Sequence, residues 1–142
     1  MVRDRRICDA LASIYDGREP RLFKDKLIYK PPHSRKHGLH QDYNWWQGCM
    51  LTAPAQFGTL SRELSDPSMA VQHIAQPGDA LMFHCFTPHE AGPNRSDRYR
   101  RQVFLTYNDS ADGEHYQAHL EHHHWYRMRE NPPERQASLY FR

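Results

Sequence analysis

Short apolar runs cut by proline and glycine do most to constrain how this 142-residue chain can fold. From Leu22 to Lys30 the residues alternate. Phe23, Asp25, Leu27 and Tyr29 fall on one face, and Lys24, Lys26, Ile28 and Lys30 on the other. Period-two alternation predicts a strand, and Pro31-Pro32 ends it because proline offers no amide donor to a neighbouring strand. Further strands are predicted over Gly48–Thr52, Val71–Ile74, Ala80–Cys85 and Arg101–Tyr107. Turns such as Gln76-Pro77-Gly78-Asp79 and Gly92-Pro93-Asn94 separate them. Many short strands punctuated in this way favour a double-sheet jelly roll over an α/β fold. Residues 53–69 read as a loop, and the chain from Pro132-Pro133 onward as extended.

Helices are expected only at the margins. Ile7, Leu11 and Ile14 recur at three- and four-residue spacing over residues 4–16, before Gly17 and Pro20 break the pattern. Near the other end, His115, His119, His122, His123 and His124 could be mistaken for a metal tract. Tyr116, Leu120 and Trp125 lie among them, which suits an amphipathic and mostly solvated helix. Only His119 and His123, one helical turn apart, have the spacing of a ligand pair.

Composition removes several classes of function. Hydrophobic residues make up 38% and charged residues 25%, as in a soluble globular domain, and the length suits one domain. The net charge of +2 is too balanced, and the basic residues too scattered, for a nucleic-acid partner. No apolar run approaches the roughly 18 residues of a membrane span, and Met1–Arg6 lacks the apolar core of a secretory signal. Cys8, Cys49 and Cys85 are odd in number and form no C-x-x-C, so reduced thiols in a cytoplasmic setting are expected.

The chemistry is concentrated in His40-Gln41-Asp42 and in His89, which follows across a strand-rich stretch. Two imidazoles and one carboxylate are the facial triad of non-haem Fe(II): they hold one face of an octahedron and leave the other open, which a closed structural zinc site does not. In an extended segment His40 and Asp42 point to the same side and Gln41 away from it. Taken singly, each histidine reads as an ordinary surface or turn residue, and the motif acquires weight from its surroundings. Tyr43–Trp46 continues it as an aromatic wall.

Those surroundings resemble a known family. Lys30-Pro31-Pro32 ahead of His40-Gln41-Asp42-Tyr43 resembles the metal-binding strand of the phytanoyl-CoA dioxygenase family of Fe(II)/2-oxoglutarate oxygenases. Gly78–His84 followed by Thr87–Ser96 is similar to the strand carrying that family's distal histidine. Arg101–Asn108, with Gly113–Tyr116 after it, is most similar to the bacterial branch containing 2-aminoethylphosphonate dioxygenases. Two departures accompany the likeness. His89 follows His40 by only 49 positions, less than is usual in the family, where a further strand and connection precede the segment matching Gln47–Leu51. The family's long helical N-terminal portion is also mostly absent.

The resemblance implies a shortened, incomplete double-stranded β-helix (a cupin-like jelly roll) over residues 1–142, with its core at about 22–108 and helices flanking it at the N-terminus and near the C-terminus. It implies Fe(II) on His40, Asp42 and His89, with no catalytic residue beyond the metal centre. It also implies 2-oxoglutarate and O2 as cosubstrates. Arg100, eleven positions past His89, stands where the family keeps the arginine for the distal carboxylate of 2-oxoglutarate. A guanidinium suits that role because its planar fork takes a carboxylate bidentately and stays charged. Arg98 and Arg101 compete with it as plain solvated charges. Asn94, Lys26 and Lys30 are weaker candidates for holding the cosubstrate; a turn cap for the asparagine and a solvated edge for the lysines are the plainer roles. A carboxylate at residue 42 implies hydroxylation rather than halogenation. The expected function is therefore hydroxylation of a small polar substrate, an organophosphonate among the candidates, with release of succinate and CO2. The alternatives are an inactive remnant that keeps the ligands, and a cupin-like module for another metal that has no use for Arg100. An unpaired sheet edge would also give such a chain reason to form a homodimer.

Overall fold

The computed structural model describes residues 1–42 and 66–130. The expected aromatic wall at Tyr43–Trp46, the strand at Gly48–Thr52, most of the 53–69 loop and the extended tail lie outside them. The chain divides into two compact units, one holding residues 1–28 and 101–130 of the described chain and the other residues 29–42 and 66–100.

The first unit holds most of two long strands, β1 (Pro20–Lys30) and β4 (Arg100–Asp109), hydrogen-bonded as a two-stranded sheet. Both strands were expected from their patterns. Helix α1 (Arg5–Ile14) begins where the Asp4 side chain accepts from the Arg6 amide at 3.1 Å, a standard N-cap. It ends as Asp16 and Gly17 turn left-handed, with the Gly17 amide donating to the Ala12 carbonyl at 2.8 Å. Leu11 faces inward and is buried, whereas Ile14 is exposed. The Tyr15 hydroxyl donates to the Tyr107 carbonyl and the Tyr107 hydroxyl to the Val2 carbonyl, so two phenols fasten α1 to β4.

Beyond β4, a single 3-10 turn at Ser110–Asp112 leads into helix α2 (Tyr116–Glu130). This helix covers one end of the β1 face that carries Phe23 and Asp25. The Phe23 ring, 1% exposed, lies 4.9 Å from the His119 ring between centroids, and the Tyr116 hydroxyl donates to Asp25 at 2.8 Å. Leu27 and Tyr29, further along the same face, stay exposed. The histidine-rich stretch is therefore a helix, and its residue His119 serves as packing.

The second unit carries a smaller antiparallel sheet, β2 (His37–His40) with β3 (His89–Ala91). His37 pairs with Ala91 and His40 with His89, so four residues of β2 oppose three of β3 and the register slips between the two pairs. A bulge of this kind re-aims side chains locally, and here it sets two imidazoles side by side. The turn at Gln76–Asp79 forms as expected, with Gly78 at φ +102° and the Asp79 amide donating to Gln76.

Two expected strands in this unit do not form. Val71–Ile74 and Ala80–Cys85 are irregular, and Val71, Ile74, Leu81, Met82 and Phe83 are exposed. Their apolar composition is right for strands, but a strand exists only through a hydrogen-bonded neighbour, and among the described residues none pairs with them. The expectation of β-sheets with a helix toward each end is met by two two-stranded sheets together with α1 and α2. No described helix is long and apolar enough to cross a membrane.

Candidate metal centre

The three residues singled out by the motif meet at one end of the β2–β3 sheet. One donor atom from each of His40, Asp42 and His89 lies within 4.8 Å of the other two. Asp42 Oδ1 stands 3.7 Å from His40 Nε2 and 4.0 Å from His89 Nε2, and the two imidazole centroids are 4.2 Å apart. His40 is buried, while the other two are partly accessible, so the cluster faces outward on one side.

Each histidine is held in the form a metal requires. His40 Nδ1 donates to the Gly38 carbonyl at 2.7 Å, and His89 Nδ1 donates to the Thr87 carbonyl at 3.0 Å. With Nδ1 carrying the proton, the lone pair of the neutral ring sits on Nε2, the atom turned toward Asp42. The donor set of two neutral imidazoles and one carboxylate, with both rings pre-oriented, fits a divalent first-row metal. No spacing rule would have found Gly38 and Thr87, because a backbone carbonyl leaves no mark in composition. Ring contacts add to the restraint: His37 packs edge-on against His40, and Phe83 lies 4.7 Å from His89.

Gln41 turns away from the donors, as alternation predicts, and its Nε2 donates to the Phe86 carbonyl at 2.6 Å. His84 lies outside the triad; its Nδ1 accepts from the Phe86 amide and its ring stacks on Phe86. Burial pushes the neighbouring Cys85 thiol above its usual range, with the Asp42 charge adding to the effect.

The cationic candidates divide. Arg100 Nη2 donates to the Gly92 carbonyl at 3.2 Å, and Lys30 Nζ donates to the same carbonyl at 2.7 Å. Gly92 lies three residues past His89, roughly 10 Å along extended chain. Arg100 Nε is buried and has no hydrogen-bond partner. Lys30 is held below the ordinary lysine range, first by burial and then by the nearby Arg100 charge. No acidic side chain among the described residues pairs with either cation. Two cations gathered without a carboxylate, one with an orphaned N–H, are chemically suited to an anion.

Asn94 is fully occupied by backbone groups and the Ser96 hydroxyl. Its Nδ2 donates to the carbonyls of Lys30, Pro31 and Arg98, and its Oδ1 accepts from Ser96. It therefore knots the Lys30 backbone to the turn before Arg100. Lys26 is exposed on β1 within the first unit. A shallow recess of about 230 Å³ lined by His73, Ile74, Ala75, Asp79, Ala80 and Leu81 contains none of the triad.

A family model described as "Phytanoyl-CoA dioxygenase (PhyH)" matches residues 50–103, a span that includes both His89 and Arg100. The chain is similar to a methylphosphonate hydroxylase of Gimesia maris, at 29% identity over 122 residues, covering 66% of this chain and 47% of that protein. It is also similar to a 2-aminoethylphosphonate dioxygenase from an uncultured bacterium, at 28% identity over 130 residues, covering 69% of this chain and 49% of that protein. The chain thus spans about half the length of these relatives. No solved structure is significantly similar to it.

Proposed function

This chain is a relative of the phytanoyl-CoA dioxygenases, and from that premise we propose that it carries the metal centre of an Fe(II)- and 2-oxoglutarate-dependent oxygenase acting on an organophosphonate. The observation that carries the reading is the meeting of His40, Asp42 and His89 with both Nε2 atoms made available by their Nδ1 bonds. The same reading takes the two small sheets as parts of a double-stranded β-helix. The phosphonate is drawn from the named activities of both relatives.

When bound, Fe(II) with 2-oxoglutarate and O2 supplies oxidative decarboxylation of the cosubstrate to succinate and CO2, coupled to hydroxylation of a substrate C–H. The protein's share is placement. His40, Asp42 and His89 hold the ion from one side. Arg100, through its orphaned Nε and a neighbouring Nη, receives the distal carboxylate of 2-oxoglutarate, and Lys30 adds a second positive charge beside it. Asn94 fastens the Lys30 backbone to that of Arg98, two residues before Arg100, and so helps to keep the two cations in register.

The test is anaerobic addition of Fe(II) and 2-oxoglutarate, which should produce a weak metal-to-ligand charge-transfer band in the visible. Arg100→Ala should raise the 2-oxoglutarate concentration needed for half the band, by the factor of roughly ten to a hundred expected for losing a hydrogen bond to a charged group. A silent spectrum would remove the proposal. A second reading, a metal-binding remnant without turnover, is favoured by the exposed Val71–Phe83 stretch, which pairs with no strand among the described residues. Succinate release on admitting oxygen together with a phosphonate separates the two, because a remnant binds metal and releases none.

A further inference from the structure

We infer that Gln41, the residue between the two ligands of the H-x-D pair, positions the third ligand, His89, from across the sheet. The inference rests on the metal-centre reading above and adds to it a residue whose side chain touches none of the donors. Gln41 Nε2 donates to the Phe86 carbonyl at 2.6 Å, slightly shorter than the usual range for such a bond. Phe86 sits within a tight turn closed by the Thr87 amide donating to the His84 carbonyl at 2.9 Å. The next carbonyl along, that of Thr87, accepts from His89 Nδ1. The group that selects the His89 tautomer is therefore one peptide unit from the group that Gln41 grips.

The two histidines differ in how much they need this help. His40 takes its orienting bond from Gly38 within its own strand. His89 opens a strand of only three residues, and its orienting carbonyl lies outside that strand, in the exposed Thr87-Pro88 segment. Phe83 touches the His89 ring, but a phenyl group limits tilt without choosing a tautomer. Losing the Gln41 bond should free the turn, let the Thr87 carbonyl drift, and allow the proton onto Nε2, where it blocks coordination.

The experiment reads the imidazole tautomers of the metal-free protein by long-range 1H–15N NMR, at a pH where both rings are neutral, together with Co(II) affinity by titration. Two variants remove the donor at nearly constant size, Gln41→Met and Gln41→Glu; the second also turns a carboxylate toward the Phe86 carbonyl. In the native protein His89 should carry its proton on Nδ1. In both variants it should become a mixture with the Nε2 form, while His40 stays as it was. Co(II) binding should weaken by about tenfold or more, in the range known for partners behind metal ligands. Native tautomers with native Co(II) affinity in either folded variant would overturn the inference. A His40 change as large as that of His89 would do so too, because it would mean general loosening. Loss of the fold in both variants would also overturn it, by making Gln41 a structural residue. If the unaltered protein fails to bind Co(II), the metal-centre reading itself fails, and the two failures are told apart by that control.

Discussion

His40 and His89 obtain their competence as ligands in the same local way, each from a carbonyl two residues upstream, Gly38 for one and Thr87 for the other. Asp42 has no such substitute, since it is the only carboxylate of the described cluster and its Oδ1 lies 3.7 and 4.0 Å from the two Nε2 atoms. Asp42→Ala should therefore weaken Co(II) or Fe(II) binding by more than the ten- to hundredfold that the loss of an outer partner costs. Calorimetry of metal binding to the folded variant would check this, and native affinity would mean that the ion sits elsewhere. Arg100 shows how a residue's candidacy can be legible in sequence while its setting is not. Spacing singled it out from Arg98 and Arg101, but only coordinates reveal that its Nε is buried without a partner. Asn94 reads from sequence as a turn cap, and the structure gives it that work on three carbonyls at once.

At the scale of elements, β1 and β4 were readable because their alternation or apolar content agrees with the pairing they find. Val71–Ile74 and Ala80–Cys85 are apolar enough for strands yet irregular, because strand identity depends on a partner and none among the described residues pairs with them. The histidine-rich helix α2 was readable as a helix, but its buried member was not. His119 is buried against Phe23, and its pKa is lowered from 6.5 to about 4, first by burial and then by the charges of Lys24, His123 and His122. The sign follows directly. The unfolded chain takes up a proton near pH 6.5, whereas the folded form resists until about pH 4. Its contribution to stability is thus fully present above 6.5 and is lost as pH falls toward 4. Urea midpoints of the α2 helical signal should fall across that window, and His119→Gln should flatten the decline; an equally steep fall in the variant would assign it to other groups.

For the molecule as a whole, metal binding should appear as stability, because the three ligands come together only in the folded chain. A free metal concentration a hundred times its Kd adds about 2.7 kcal/mol, enough to raise Tm by several degrees. Thermal unfolding with Co(II), and again after chelation, should show the rise and its reversal; an unmoved Tm would mean that the ligands do not act together. The sequence alone determined which residues have the chemistry to hold a metal or an anion, along with the two long strands and the marginal helices. These are properties of side-chain chemistry and local periodicity, which travel with the chain wherever it folds. Tertiary structure alone decided that His40 and His89 face each other, because one extra residue in β2 sets the register. It also decided that Lys30 and Arg100 share a carbonyl, and that two apolar runs have no strand partner among the described residues. Such outcomes depend on what lies opposite each segment, and hydrogen bonds between strands form with neighbours in space, which linear order does not specify.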